Sequence, residues 1–437
     1  MSSHKYSLST AIAIVVANMI GTGVFTSLGF QLVDIDSTFV LLMLWLVGGV
    51  TALCGALTYA ELGSSLPRSG GEYNFLSEIY HPMAGFVSGW ISATVGFAAP
   101  TALAAMTFGA YLEASIGGVS ATLMASILVI VLTLVHVMSH AASGGVQSAF
   151  TVLKVLLILV FVGLIGFVTE VPQQVSLLAS PGDGVLLTSS AFAVSLIYVN
   201  YAYTGWNAAT YIINEVEEPQ RNMPVILFTG TALVLVLYLM LNYVFLYAAP
   251  MSEMTGKIEI GVIVARHALG ETGAMIMGIV LATLLISTVS AMVIAGPRVL
   301  QVIGEDFRVF RFLSARNSDD IPMIAIIVQS AVTLFFILTS TFESVLVFSG
   351  FVMGINTFFA VAGVFVLRRR EKPEGSYRTW GYPVTPLIYL GLMGWTLTYI
   401  LLNRPEEGVA GLAIVAAGVV LYLVSEKLSQ PPARRGL

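Results

Sequence analysis

Two short stretches put glycine where an apolar helix should run unbroken. The first, Asn18-Met19-Ile20-Gly21-Thr22-Gly23-Val24-Phe25, lies inside an apolar run from 8 to 30. The second, YVNYAYTGWNAATY from Tyr198 to Tyr211, sets a Thr204-Gly205 pair among polar and aromatic residues, again within an apolar run. Small residues let membrane helices approach closely, so packing explains either stretch taken alone. Together they point to two broken helices. Unpaired backbone groups are costly in lipid, so a break is tolerated only where protein, water or a ligand satisfies it. At the first break, free N–H groups at a half-helix N-terminus would face an anion such as a carboxylate. At the second, free carbonyls would accept from an ammonium. Exposed donors and acceptors in one site suit a zwitterion.

The elements that carry these breaks follow from composition. Of 437 residues, 57% are hydrophobic and 10% charged, with a strongly positive mean hydropathy, which a soluble domain could not carry without large exposed apolar patches. The chain reads as an all-α integral membrane protein. A bilayer core of about 30 Å needs roughly 20 apolar residues per helix. Twelve runs qualify: 8–30, 37–64, 83–111, 120–138, 147–169, 188–214, 224–249, 272–297, 322–341, 343–367, 385–402 and 408–425. The even count puts both termini on one side. With that side cytoplasmic, 15 of the 19 basic residues fall in cytoplasmic segments, and only Lys257, Arg266 and Arg404 in external loops, as the positive-inside rule requires. The expected location is the plasma membrane, which is the inner membrane if the source is bacterial.

The breaks fall in spans one and six, with five spans between equivalent points. An odd number of crossings delivers the second copy inverted, and paired interrupted helices in corresponding positions point to a midplane transport site. The expected units are residues 1–169 (spans one to five), 170–370 (spans six to ten) and 371–437 (spans eleven and twelve with a short tail).

Between spans two and three, GGEYNFLSEIYHP places Tyr73, Leu76, Ile79 and Tyr80 on one helical face with Glu72 and Glu78 elsewhere, which predicts an interfacial helix. GVIVARHALG, in the 250–271 loop, predicts a second surface helix, and the tail SQPPARRGL predicts disorder. No cleaved signal peptide is expected. Cys54 is the single cysteine and lies in an apolar run, so neither a disulfide framework nor a Cys-rich metal site is expected. No basic face tracks phosphates, which argues against nucleic acid as a partner. No Ser/His/Asp set, HExxH or paired intramembrane carboxylates is present, so no enzyme activity and no cofactor are expected.

The motifs resemble the amino acid/polyamine/organocation transporter superfamily, and among its branches the L-type amino acid transporters. The resemblance rests on IGTGVF (Ile20–Phe25), YAYTGWN (Tyr201–Asn207), LPRSGGEYNFLSEIYHP from Leu66, NEVEEPQRNMP from Asn214 and YRTWGYPVTP from Tyr377, in family order over most of the chain. It implies a leucine-transporter-type fold with a five-plus-five inverted repeat and interrupted helices one and six. It also implies a substrate site formed by Met19, Ile20, Gly21, Thr22 and Gly23 with Tyr201, Ala202, Thr204, Gly205 and Asn207. The substrate carboxylate would sit on N–H groups around Thr22 and Gly23, its amine on carbonyls near Met19, Tyr201 and Thr204, with Tyr201 as an aromatic lid. Packing with a satisfied hydroxyl is the alternative for Tyr201 and Tyr203. Thr204 stands where members that take large substrates often have glycine, which favours small side chains.

Lys154, in AFTVLKVLLILV, is a lone charge inside a span, at a cost of a few kcal/mol even on the permissive insertion scale. Snorkelling to the cytoplasmic surface is one explanation. The resemblance implies another: its ammonium takes the place of the sodium held by coupled relatives, between the carbonyls near Gly21 and a hydroxyl of span eight, Ser287, Thr288 or Ser290. Sodium-independent exchange follows if that ammonium is fixed, and proton symport if it titrates.

Other polar groups stay open. Asn18 either lines the pocket or bonds a neighbouring helix, and Asn207 either braces the broken helix or contacts substrate. His136 and His140 read as solvated helix ends, and Glu215, Glu217 and Glu218 as a solvated end paired with Arg221. Spans one, three, six, eight and ten supply no carboxylate at mid-depth, which disfavours cationic substrates, and no arginine, which disfavours anionic ones. A small neutral L-amino acid remains, carried by alternating access. A non-transporting amino acid sensor is the remoter alternative, for which the termini are short. The 112–119 loop lacks the cysteine of a disulfide-linked ancillary subunit, so no such partner is expected; the lipid bilayer is.

Overall fold

The computed structural model describes residues 5–138, 144–306, 308–317, 321–370 and 377–429. Among them the fold is almost entirely helical, and β pairing is limited to an isolated bridge between Tyr6 and Val216. His140 and the tail from 430 onward lie outside the described residues.

The first apolar run forms two helices, α1 (Leu8–Met19) and α2 (Gly23–Gln31), separated at Ile20, whose φ −76° and ψ 87° leave the helical region. Next comes α3 (Thr38–Ser65), buried along most of its length with Trp45 and Tyr59 fully enclosed. A helix apolar on every side belongs in the middle of a bundle. The short α4 (Glu72–Ile79) leads to the third span, which is itself interrupted: α5 (Pro82–Ile91), a π turn (Ser92–Gly96) and α6 (Ala98–Ile116). The sequence pattern did not show this π turn, because a one-residue insertion leaves an apolar run apolar.

The first half continues with α7 (Ala121–Met138) and α8 (Gly144–Val168). After α9 (Asp183–Leu187), the sixth apolar run splits into α10 (Ser190–Ala202), a turn at 203–207 and a 3-10 helix (Ala208–Glu215). Then follow α11 (Pro219–Ala248), α12 (Met251–Met254) and α13 (Ile260–Asp306), the last broken at Gly270 with φ 72°. Residues 260–269 therefore form a separate helix over most of GVIVARHALG, but Ile260 and Val262 to Ala265 are buried, so it is not the surface helix expected: its apolar half packs into the bundle. A 3-10 helix (Arg308–Ser314), α14 (Met323–Thr339), α15 (Phe342–Leu367), α16 (Val384–Asn403) and α17 (Pro405–Ser429) complete the bundle.

Nine helical segments among the described residues are long and apolar enough to cross a membrane. Three shorter apolar helices, Val152–Val168, Ser190–Ala202 and Met323–Thr339, lie where the sequence places spans five, six and nine. On the outside, Leu123, Ile127, Val131 and Leu134 of α7 and Val160 and Phe167 of α8 are exposed. Apolar faces of this extent suit hydrocarbon rather than water, and the chain is an integral membrane protein.

Candidate functional site

The two broken spans meet at their breaks, and each glycine is explained by the other helix. A side chain at Gly23 would begin 2.6 Å from Cα of Ala202. One at Gly205 would begin 2.6 Å from the carbonyl oxygen of Asn18, and Gly205 also has φ 101°. Both approaches are to backbone, which cannot step aside, so only glycine fits. Gly21 differs, since a side chain there would meet nothing within 4 Å.

That open space belongs to a cavity of about 420 Å³. Met19, Gly21, Thr22 and Gly23 line it from the first break, and Tyr201, Ala202, Thr204, Gly205 and Asn207 from the second. Ile20, the remaining residue of the expected substrate set, lines a separate cavity of about 30 Å³ together with Gly21, Lys154 and Thr288. The structure thus brings together all but one of the residues the motifs point to. The π turn of the third span adds Ser92 and Gly96 to the wall, and α15 and α16 add Asn356, Thr357 and Tyr389.

At the first break no side chain caps α2, so its leading N–H groups stand without a side-chain partner beside the cavity. The second break is less bare. The Tyr201 carbonyl already accepts from the Thr204 N–H at 3.0 Å and the Thr204 hydroxyl at 2.7 Å. The Met19 carbonyl accepts from Tyr238 Oη at 2.6 Å and from the Gly21 N–H at 2.9 Å. With both of its lone pairs engaged, neither carbonyl is free for an ammonium, which corrects the expected amine contacts at these two residues. Tyr238, unremarked in the sequence, also lies 3.2 Å from the Ala202 carbonyl and so ties the two breaks together. It packs on Tyr203 and Trp45 with ring centroids 5.0 and 5.6 Å away. Tyr203 is buried and donates to the Trp45 carbonyl at 3.1 Å, as the packing alternative requires, and it also lines the cavity.

Glu72 corrects two expectations. The helix α4 does form, but Glu72 is 2% exposed and turned inward, not set on the polar face of an interfacial helix. One carboxylate oxygen accepts from Tyr59 at 2.9 Å and from Asn207, and the other accepts from Tyr211 at 2.5 Å. The cavity wall therefore includes a carboxylate that no span supplies. Asn207 braces the broken helix through it, while Trp206 packs against Tyr59 at 4.7 Å. Asn18 lines the cavity and bonds its own helix at the Ile14 carbonyl, 2.9 Å away, not a neighbour.

Lys154 Nζ donates to Thr288 Oγ1 at 2.8 Å, which selects among the three hydroxyls. Ser290 bonds His136 Nε2 at 2.8 Å instead. His136 is accordingly only 8% exposed, so the expectation of a solvated helix end is wrong: Ser290, on the adjoining α13, supplies it with a partner. Ser287 is also buried. Arg221 does pair with Glu218, at 3.7 Å on the surface.

Toward the start of α1, Asn18 and Tyr211 are exposed. Three residues before Tyr201 in α10, Tyr198 is 2% exposed and lies 6.0 Å from Phe30, which stacks on Phe342 at 5.6 Å. Tyr198 donates to Glu343 at 2.6 Å, and Arg404 pairs with the same carboxylate.

Known proteins share this layout of sequence. Over 95% of its length the chain is 27% identical to the large neutral amino acids transporter small subunit 2 of Mus musculus, covering 80% of that protein. It is 25% identical over 96% of its length to the cystine/glutamate transporter of Homo sapiens, covering 84% of it. The serine/threonine exchanger SteT of Bacillus subtilis (strain 168) matches at 25% identity, over 95% of each chain. The model of the amino acid permease family matches residues 6–424, and the chain belongs to that family.

Proposed function

We propose that this permease carries small neutral L-amino acids across the membrane without sodium, by alternating access and in exchange mode. The observation that carries the proposal is the facing pair of breaks, with uncapped N–H groups of α2 on one side of a cavity and the end of α10 on the other. The substrate carboxylate sits on the N–H groups at Thr22 and Gly23. With the carbonyls of Met19 and Tyr201 engaged, the ammonium turns to the remaining carbonyls of the 203–207 turn. A cavity of about 420 Å³ is at the small end for ligand sites, in keeping with small substrates.

The reciprocal seating of Gly23 on Ala202 and Gly205 on Asn18 supports two inverted five-helix units, residues 1–169 and 170–370, followed by 371–437. The basic bias supports cytoplasmic termini, and the cavity then faces inward, with the Phe30, Tyr198 and Phe342 cluster toward the outside. Lys154, bonded to Thr288 beside Gly21, stands in a cation's place. Cys54, the single cysteine, is buried, which supports our reading that no disulfide-linked subunit is attached.

The test is uptake of labelled alanine by purified protein in sodium-free liposomes, with alanine inside or absent, with and without a pH gradient. Exchange requires internal amino acid and ignores the gradient. A second reading, proton symport through Lys154, is favoured by the burial of that lone charge beside a hydroxyl rather than a carboxylate. Proton-driven uptake into empty vesicles would establish it. A higher affinity for leucine or phenylalanine than for alanine would defeat the small-substrate assignment.

A further inference from the structure

We propose that Glu72 sets the charge selectivity of the cavity, excluding amino acids with anionic side chains. The proposal rests on the cavity being the substrate site. Among the residues that line this cavity, Glu72 is the one acid, and no lysine, arginine or histidine offsets it. Its carboxylate is nine-tenths buried and held from three directions, by Tyr59 of α3, by Asn207 at the second break and by Tyr211 of the following 3-10 helix. None of these donors is a cation, so the negative charge is not cancelled locally. In a wall that is largely apolar, an uncancelled charge acts over the width of a small cavity with little screening. The substrate's own carboxylate lies at the other break, on α2, away from Glu72. A second carboxylate on the side chain has no donor array waiting for it and meets the field of Glu72. A cationic side chain meets the same field with the opposite sign.

The field is separate from the bracing. Tyr59, Asn207 and Tyr211 hold a carboxylate in place whatever the substrate, whereas selectivity needs only the charge. Glu72→Gln removes the charge and keeps the shape, Glu72→Asp keeps the charge, and Tyr211→Phe keeps the charge and removes one donor.

The experiment measures inhibition of labelled serine uptake into liposomes by three compounds of similar size: aspartate, asparagine and 2,4-diaminobutyrate. In the unaltered protein, aspartate inhibits at least about tenfold more weakly than asparagine, and diaminobutyrate is not similarly penalised. Equal inhibition by aspartate and asparagine, or a penalty on diaminobutyrate instead, overturns the proposal without any variant. In Glu72→Gln the aspartate penalty falls to within about threefold, while Glu72→Asp and Tyr211→Phe retain it. A penalty unchanged in a Glu72→Gln protein that still takes up serine, or lost equally in Tyr211→Phe, overturns it as well. Failure of the underlying site is distinguishable: serine affinity would then be unmoved by Gly21→Val, a side chain placed in the cavity itself.

Discussion

The two breaks face each other across one cavity, yet they are built differently. The first is the three residues between α1 and α2, with Ile20 out of the helical region, after which α2 begins with no capping side chain. The second is a five-residue turn with a left-handed glycine, resumed as a 3-10 helix and braced by Asn207 and Tyr211 on Glu72. The difference has a physical basis. Donors at a helix N-terminus are held in place by the helix behind them and need no brace. A turn followed by a weak 3-10 segment has poorer internal hydrogen bonding, so its position depends on contacts from elsewhere in the chain. The first break is thus left bare for a ligand, and the second is supported from α3 and α4.

The largest effect that would break this pairing is a side chain at either glycine. Gly205→Ala combines a contact with backbone and a positive φ, and should destabilise by at least about 2 kcal/mol and abolish uptake. Thermal unfolding in detergent checks the first part and liposome uptake the second. Gly23→Ala should behave similarly without the strain in φ, and Gly21→Ala, which meets nothing within 4 Å, should leave stability within about 1 kcal/mol while weakening substrate binding. If Gly21→Ala and Gly23→Ala unfold at the same temperature, the seating of the breaks is not what the structure indicates.

Lys154→Met comes next. Removal of an ammonium bonded to Thr288 should slow exchange by at least tenfold and leave folding largely intact, since methionine fills similar space in an apolar span. Uptake rates at saturating substrate, compared with expression and unfolding temperature, decide it.

Tyr238→Phe sharpens the comparison by cutting the hydroxyl that joins both breaks. The expected loss is about 1 kcal/mol of stability, the net worth of such a bond, with a slower turnover. The smallest effect belongs to Tyr211→Phe, which leaves Glu72 with two donors and should shift serine affinity by no more than about threefold. A Tyr211→Phe loss larger than that of Tyr238→Phe would reverse the assignment of bare and braced breaks.

The membrane character, the two breaks and Lys154 were legible because lipid penalises any departure from an apolar, unbroken helix, so each exception stands out locally. Glu72 was not legible, as its helix reads as amphipathic and its bond to Asn207 joins residues 135 positions apart. His136 was missed for the same reason, its partner Ser290 being 154 positions away. The π turn of the third span changes hydrogen bonding without changing hydropathy.

By itself the sequence determined that the chain lives in a membrane, that its first and sixth apolar runs are interrupted and most of the residues that gather at those two interruptions, because the solvent imposes those features residue by residue. Only the tertiary structure decided which backbone carbonyls were already engaged, that Thr288 and not Ser290 meets Lys154, and that a carboxylate from outside the spans enters the cavity wall. Those outcomes depend on which helix packs against which, and hydrogen bonds between distant segments leave no periodic trace in the chain.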